Sequence, residues 1–317
     1  METHPQGTLP LYRLIPLRTP LVLASGPLGR DARSLARFAA VAGGVVTKSV
    51  TRLPQEGNPP PRVARVGEWA FVNWEDLPNP GCEAMGAAIR EVKASGAACP
   101  IIGSIGPLKS PEEQREIALV LQEAGADALE LNFKWAAGAD DNLLARVVRA
   151  VKGAVAIPVI VKLAPFVGDI VENARAAEDA GADALTAINS VFPAMQIDVR
   201  RQRPTLSTGF GGLSGRPILP LAVAAVYRLY EAVQVPILGC GGVVTGEDAL
   251  QLILAGAQAV QVCSAPMAEG PAAFTRIQRE LDGLIQELGL GSLEACVGLA
   301  HREPIYRPKS ATVRQTL

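Results

Sequence analysis

Histidine is nearly absent: His4 and His301, far apart near the two ends of a 317-residue sequence, are the only two. That makes a Ser-His-Asp triad or a histidine-based metal centre improbable. The five cysteines, Cys82, Cys99, Cys240, Cys263 and Cys296, include no C-x-x-C pair, so neither an iron–sulfur cluster nor a zinc site is encoded locally, and most of them read as buried thiols. A basic excess is missing too. Lys and Arg total 30 against 31 Asp and Glu, a net charge of −1, which gives no reason to expect nucleic acid. No stretch approaches the roughly 18 uninterrupted apolar residues of a membrane span, and the apolar N-terminal stretch is broken by Arg13, Pro16, Arg18 and Pro20. Without a signal-peptide core the expected location is the cytoplasm. Lysine is scarce, 7 against 23 arginines, a bias that does not identify function.

What the sequence does hold is a set of short apolar strands, each ending on a polar residue or glycine. They are expected at 21–25, 45–49, 101–106, 128–132, 159–163, 184–189, 237–241 and 259–263. Near-continuous apolar runs such as PVIVKL and VPILGCGG suit parallel strands buried on both sides. Helices fit between them at 31–41, 82–95, 111–123, 141–151, 169–180, 218–232, 246–254 and 271–288. Alternation of this kind predicts a TIM (β/α)8 barrel, which needs roughly 250 residues and allows insertions. One domain over 1–317 is expected, with 302–317 as a polar C-terminal tail. A phrase recurs as AGADALELN, AGADALTAIN and AGAQAVQVCS, each a helix end, a glycine cap and a buried strand. Two connections, 51–81 and 190–216, exceed what a plain barrel needs, and long insertions are where binding concentrates.

In such a barrel the C-terminal strand ends converge on one face. Here they present Ser25, Lys48, Ser104, Asn132, Lys162, Asn189, Gly241 and Ser264. The CGGVVTGEDA loop with Gly241 and Gly242, together with VCSA carrying Cys263 and Ser264, is where barrels often hold a phosphate on backbone N–H groups and helix termini. Lys48 and Lys162 interrupt apolar runs, and a buried ammonium is costly unless it meets water, a ligand or an anion. At about 4 Å from a developing anion it is worth on the order of 4 kcal/mol at intermediate dielectric. A Schiff-base lysine of an aldolase and a plain internal ion pair are the other readings of these lysines. Asn73, Asn79, Asn132 and Asn189 offer donor and acceptor together, which suits a ring of alternating C=O and N–H groups.

Taken in order, ASG, TKSVT, EGNPPPR, the N-x-x-x-L-x-N-P-G run at 73–81, ELN, VKL, INS, GGLSG, GGV and VCSA resemble the soluble class 1 dihydroorotate dehydrogenases and the flavin domain of dihydropyrimidine dehydrogenase, over roughly residues 10–290. The resemblance implies FMN surrounded by Ala24, Ser25, Lys48, Ser49, Asn132, Lys162, Ile188, Gly215, Gly241, Gly242, Cys263 and Ser264, the last four near its phosphate. It implies a pyrimidine facing Lys48, Asn73 through Leu77, Asn132, Asn189 and Ser190. The reaction implied removes a proton from ring C5 while C6 gives hydride to flavin, oxidising dihydroorotate or a related dihydropyrimidine. The implied partners are a small-molecule substrate, a second copy in a homodimer and, as in some class 1 enzymes, an electron-transfer subunit.

One departure stands out. After ELN the class 1 pattern continues as a small residue, Ser, Cys, Pro and Asn, with the cysteine as general base; here the residues are Phe133, Lys134, Trp135, Ala136 and Ala137. Trp135 cannot accept a proton. Lys134 is the candidate substitute base, with Asp140 and Asp141 as alternatives; the other readings are a different substrate for an FMN oxidoreductase, or flavin binding without turnover. Asn73 is followed by Trp74, Glu75 and Asp76 where the family has small residues and glycine, a sign of a reshaped pocket.

Overall fold

The computed structural model describes residues 10–107, 110–133 and 142–303. Eight parallel strands form a closed barrel in which each pairs with its sequence neighbour and the last returns to the first. They are Leu21–Leu23, Gly44–Val46, Ile101–Ile105, Ala128–Asn132, Val159–Leu163, Ala184–Ala187, Ile237–Cys240 and Ala259–Val262. Leu23 lies opposite Val262 on one side and Val45 on the other, which closes the ring. The TIM barrel expected from the sequence is the observed architecture. Several strands stop one to three residues before their expected ends because the chain turns outward there to build the mouth.

The repeated AGA-x phrase has a physical basis. Gly125, Gly181 and Gly256 each take a positive φ, which lets the helix end without a Cβ clash. The acid that follows in two copies fixes the neighbouring strand: Asp127 accepts from Ile101 N at 2.6 Å and Asp183 from Val159 N at 2.7 Å. In the third copy Gln258 accepts from Leu11 N at 2.7 Å, tying down the short helix Leu11–Leu14. That helix and Ile15 plug the barrel floor, packing on Val22, Val46, Ile102, Ala128, Ile160, Ala184, Leu238 and Ala259. A larger apolar cluster fills the space between barrel and helices. Ser110, Asp169 and Thr245 cap their helices through side-chain oxygens that accept from backbone N–H groups of the first turn.

The two long insertions meet each other. Val63–Gly67, Ala70–Asn73, Gly211–Gly215 and Val191–Ala194 form a four-stranded antiparallel sheet in that order, so segments remote in sequence become one wall at the C-terminal face. The helix expected at 271–288 is seen as Ala272–Glu287, preceded by a separate short helix Ser264–Glu269. No helix among the described residues is long and apolar enough to cross a membrane.

Candidate functional site

Side chains on one face of a strand recur every two residues, and that register builds the site. The floor positions Val22, Val46, Ile102, Ala128, Ile160, Ala184, Leu238 and Ala259 are apolar. Two residues on, the same strands place Ala24, Lys48, Ser104, Glu130, Lys162, Thr186, Cys240 and Gln261, a predominantly polar tier buried above the floor. Above it opens a cavity of about 1100 Å3, its mouth included. Ala24, Ser25, Lys48, Ser49, Asn132, Lys162, Ile188, Gly215, Gly241, Gly242, Cys263 and Ser264 all line this one cavity, as do Asn73, Leu77, Asn189 and Ser190.

The polar tier is connected. Lys162 Nζ donates to Gln261 Oε1 at 2.9 Å, Gln261 Nε2 to Glu130 Oε2 at 2.5 Å, and Thr186 Oγ1 to the same oxygen at 2.9 Å. Glu130 Oε1 lies 3.9 Å from Lys162 Nζ and accepts no hydrogen bond. Burial works against the Lys162 ammonium, but Cys240 and Glu130 outweigh it and hold its pKa above the ordinary lysine value. A Schiff-base nucleophile needs the opposite shift, so Lys162 is a poor aldolase lysine. Lys48 Nζ is held instead by Glu75 Oε2 at 2.9 Å. Both lysines are therefore ion-paired and face the cavity.

A second chain runs along the rim. Ser25 and Ser49 hydroxyls lie 2.9 Å apart, Asn132 Nδ2 donates to Ser49 Oγ at 3.2 Å, and Asn189 Nδ2 donates to Asn132 Oδ1 at 2.7 Å. Asn189 Oδ1 in turn accepts from Ser190 N at 2.8 Å. These contacts fix amide edges that a ligand ring can read. On the opposite side Asp248 Oδ2 accepts from Val244 N and Thr245 N, both at 2.9 Å, which locks the loop following Gly241 and Gly242. Burial pushes the Cys263 thiol up to about 11, so at neutral pH it stays protonated and is not available as a base.

Four expected positions are not brought to the cavity wall: Trp74 and Asp76, within the run from Asn73 to Leu77, Asn79 and Ser104. Asn79 is spent on its own turn, where Oδ1 accepts from Gly81 N at 2.9 Å and Nδ2 donates to Leu77 O at 2.8 Å. Ser104 is fully buried and bonds the Ser49 hydroxyl at 2.7 Å. Lys134, Trp135, Asp140 and Asp141 lie outside the described residues. Phe71, Gln261 and Cys240 line the cavity without having been singled out from the sequence, and Glu75 lines it as part of the expected run from Asn73 to Leu77. For Gln261 and Cys240 the available signal was register, two residues beyond the apolar floor.

The residues present fit a phosphorylated flavin: a deep cleft with glycines at one end, two cations at the strand ends and fixed amide edges between. Among the described residues no group of three His, Cys, Asp or Glu could hold a metal ion. Comparison with known proteins points to one family. The dihydroorotate dehydrogenase family profile matches residues 14–285. The catalytic subunit of dihydroorotate dehydrogenase B (NAD(+)) from Methanothermobacter thermautotrophicus is 43% identical over 297 residues, covering 90% of this chain and 96% of the relative. Its counterpart from Pyrococcus abyssi is 39% identical over 295 residues, covering 90% and 96%. In fold, the chain resembles the crystal structure of DHODH in complex with ferulenol from Eimeria tenella, with a TM-score of 0.75 at 24% identity, covering 90% of this chain and 86% of that one. With a family match across most of its length and relatives near 40% identity, the chain belongs to the dihydroorotate dehydrogenase family.

Proposed function

We propose that this chain is an FMN-dependent dehydrogenase acting on a CH–CH bond, oxidising dihydroorotate or a related dihydropyrimidine in pyrimidine metabolism. The observation that carries the reading is the convergence of Lys48, Lys162, Asn132, Asn189 and the Gly241–Gly242 and Cys263–Ser264 loops on one cavity. Membership of the family adds to it. FMN, when bound, supplies the hydride acceptor. Ala24, Ser25, Ser49, Ile188 and Gly215 would wall it, backbone N–H groups of Gly241, Gly242, Cys263 and Ser264 would hold its phosphate, and Lys48 and Lys162 would favour negative charge on its reduced ring.

The chain's own part on the substrate side is orientation. Asn73, Leu77, Asn132, Asn189 and Ser190 would hold the pyrimidine, the amides through paired donor and acceptor edges. The proton leaving ring C5 needs an acceptor. With Trp135 at the usual cysteine position, Lys134 is the proposed base, and Asp140 and Asp141 are the alternatives on the same segment. The relatives named as catalytic subunits of an NAD(+)-linked enzyme support a separate electron-transfer subunit as partner. A homodimer, a cytoplasmic location and a single flavin-binding domain over 1–317 belong to the same proposal.

Anaerobic titration of the FMN-loaded protein with dihydroorotate and with dihydrouracil, followed by flavin absorbance, tests it. Prompt bleaching by either supports the reading, and a flavin that neither reduces at high concentration overturns it. Lys134→Ala then tests the base: unchanged reduction removes Lys134 from the mechanism.

A further inference from the structure

Two loops from neighbouring strands close one end of the cavity, one through Gly241 and Gly242, the other through Cys263 and Ser264. Behind them a single side chain joins both. Arg276, on the helix Ala272–Glu287, is not among the residues that line the cavity. Its guanidinium grips Glu269, the last residue of the short helix Ser264–Glu269, as a fork: Nε donates to Oε2 at 2.9 Å and Nη2 to Oε1 at 2.6 Å. Nη2 also donates to Val244 O at 3.0 Å, and Nη1 to Glu280 Oε1 at 2.9 Å. Glu280 extends the hold, since its Oε2 accepts from Gly246 N at 2.8 Å.

Every one of these contacts ends on one loop or the other. Val244 and Gly246 lie on the chain leaving Gly242, and Glu269 closes the helix that Ser264 opens. Val244 is fixed at both backbone groups, its N–H by Asp248 and its C=O by Arg276. Gly246 sits so close to the long helix that a Cβ there would run into the backbone of Glu280 and Leu281. Isolated surface ion pairs contribute little, but a bidentate arginine–carboxylate contact inside a network is the exception. Here the Arg276 and Glu269 side chains are each only 27% exposed.

Resting on the flavin reading above, we infer that Arg276 is a positioning residue for the cofactor's phosphate: it braces the Gly241–Gly242 and Cys263–Ser264 loops against each other, so that their backbone N–H groups meet one phosphate together. Donors that grip an anion act jointly only when their supports hold them to within about 0.5 Å. Arg276 supplies that support through Val244, Glu269 and Glu280, without touching the ligand.

The full chain, freed of flavin, is titrated with FMN and with riboflavin, which lacks the phosphate, and quenching of flavin fluorescence is followed. Wild type prefers FMN. Arg276→Gln and Glu269→Gln each weaken FMN binding by at least about tenfold and riboflavin binding by less than about threefold, because only the phosphate depends on the two loops. Arg276→Lys keeps the charge but not the fork, and it too loses most of the preference for FMN. If Arg276→Gln does not fold, Glu269→Gln decides. An FMN-to-riboflavin preference within about threefold of wild type in the Gln variants, an equal loss of both flavins, or full rescue by Arg276→Lys overturns the inference and leaves flavin binding in place. A wild type that quenches neither flavin overturns the flavin reading, and the inference with it.

Discussion

Replacing Lys162 with methionine keeps most of the side chain's apolar stem and removes its charge, which leaves Glu130 stranded in the barrel. Glu130 is fully buried and Lys162 is 5% exposed in its side chain. At the observed 3.9 Å the attraction is about 4 kcal/mol for an effective dielectric of about 20. The hydrogen bonds from Thr186 and Gln261 to Glu130 Oε2 survive, but Gln261 Oε1 loses its donor. Breaking one partner of a buried pair costs about 3–5 kcal/mol, since the remaining charge has no water to turn to. Urea unfolding at fixed FMN concentration should therefore show Lys162→Met destabilised by about 3–5 kcal/mol. Adding Glu130→Gln should restore most of that loss, because the double variant has no charge left to strand. A single variant within about 1 kcal/mol of wild type, or strictly additive effects in the double variant, would refute the coupling argued for this tier.

Two other perturbations probe different parts of the fold. Gly215 has φ 92°, and a Cβ there would run into the Trp69 carbonyl, so Gly215→Ala should cost at least about 3 kcal/mol by chemical denaturation and detach the insertion sheet from the cavity wall. Cys99 is fully buried, and burial pushes its thiol from 9.0 to about 11. Its folded pKa exceeds its unfolded one, so between pH 9 and 11 the folded state holds a proton the unfolded state has lost, and stability falls as pH rises through that window. The contribution is about 2–3 kcal/mol; between pH 8 and 11 the stability of wild type should fall by this amount more than that of Cys99→Ala.

How much of this was legible in sequence differs by element. The barrel was, because eight apolar runs and a glycine joint repeated three times at Gly125, Gly181 and Gly256 leave few architectures open. Except for Trp74 and Asp76, the residues carried by family resemblance reach one cavity, since strand ends in a parallel barrel have nowhere else to go. The buried tier was not read: Glu130, Thr186 and Gln261 meet only because three strands distant in sequence share an inward register, and each alone looks like a polar interruption. Glu75 was included only within the run from Asn73 to Leu77 and as a departure from the family pattern, and its ion pair with Lys48 was not read, since an irregular left-handed turn has no periodicity to betray where its carboxylate points. Asn79 misled for the converse reason. Asparagine serves turns as readily as ligands, and this one bonds its own backbone neighbourhood.

FMN content tests the central claim most directly. Protein purified and reconstituted with excess FMN, then freed of unbound flavin and denatured, should release one FMN per chain, and Gly242→Val should release almost none while the Cys82, Cys99 and Cys296 thiols stay buried against a thiol reagent. A wild-type protein that remains colourless after reconstitution would contradict the account.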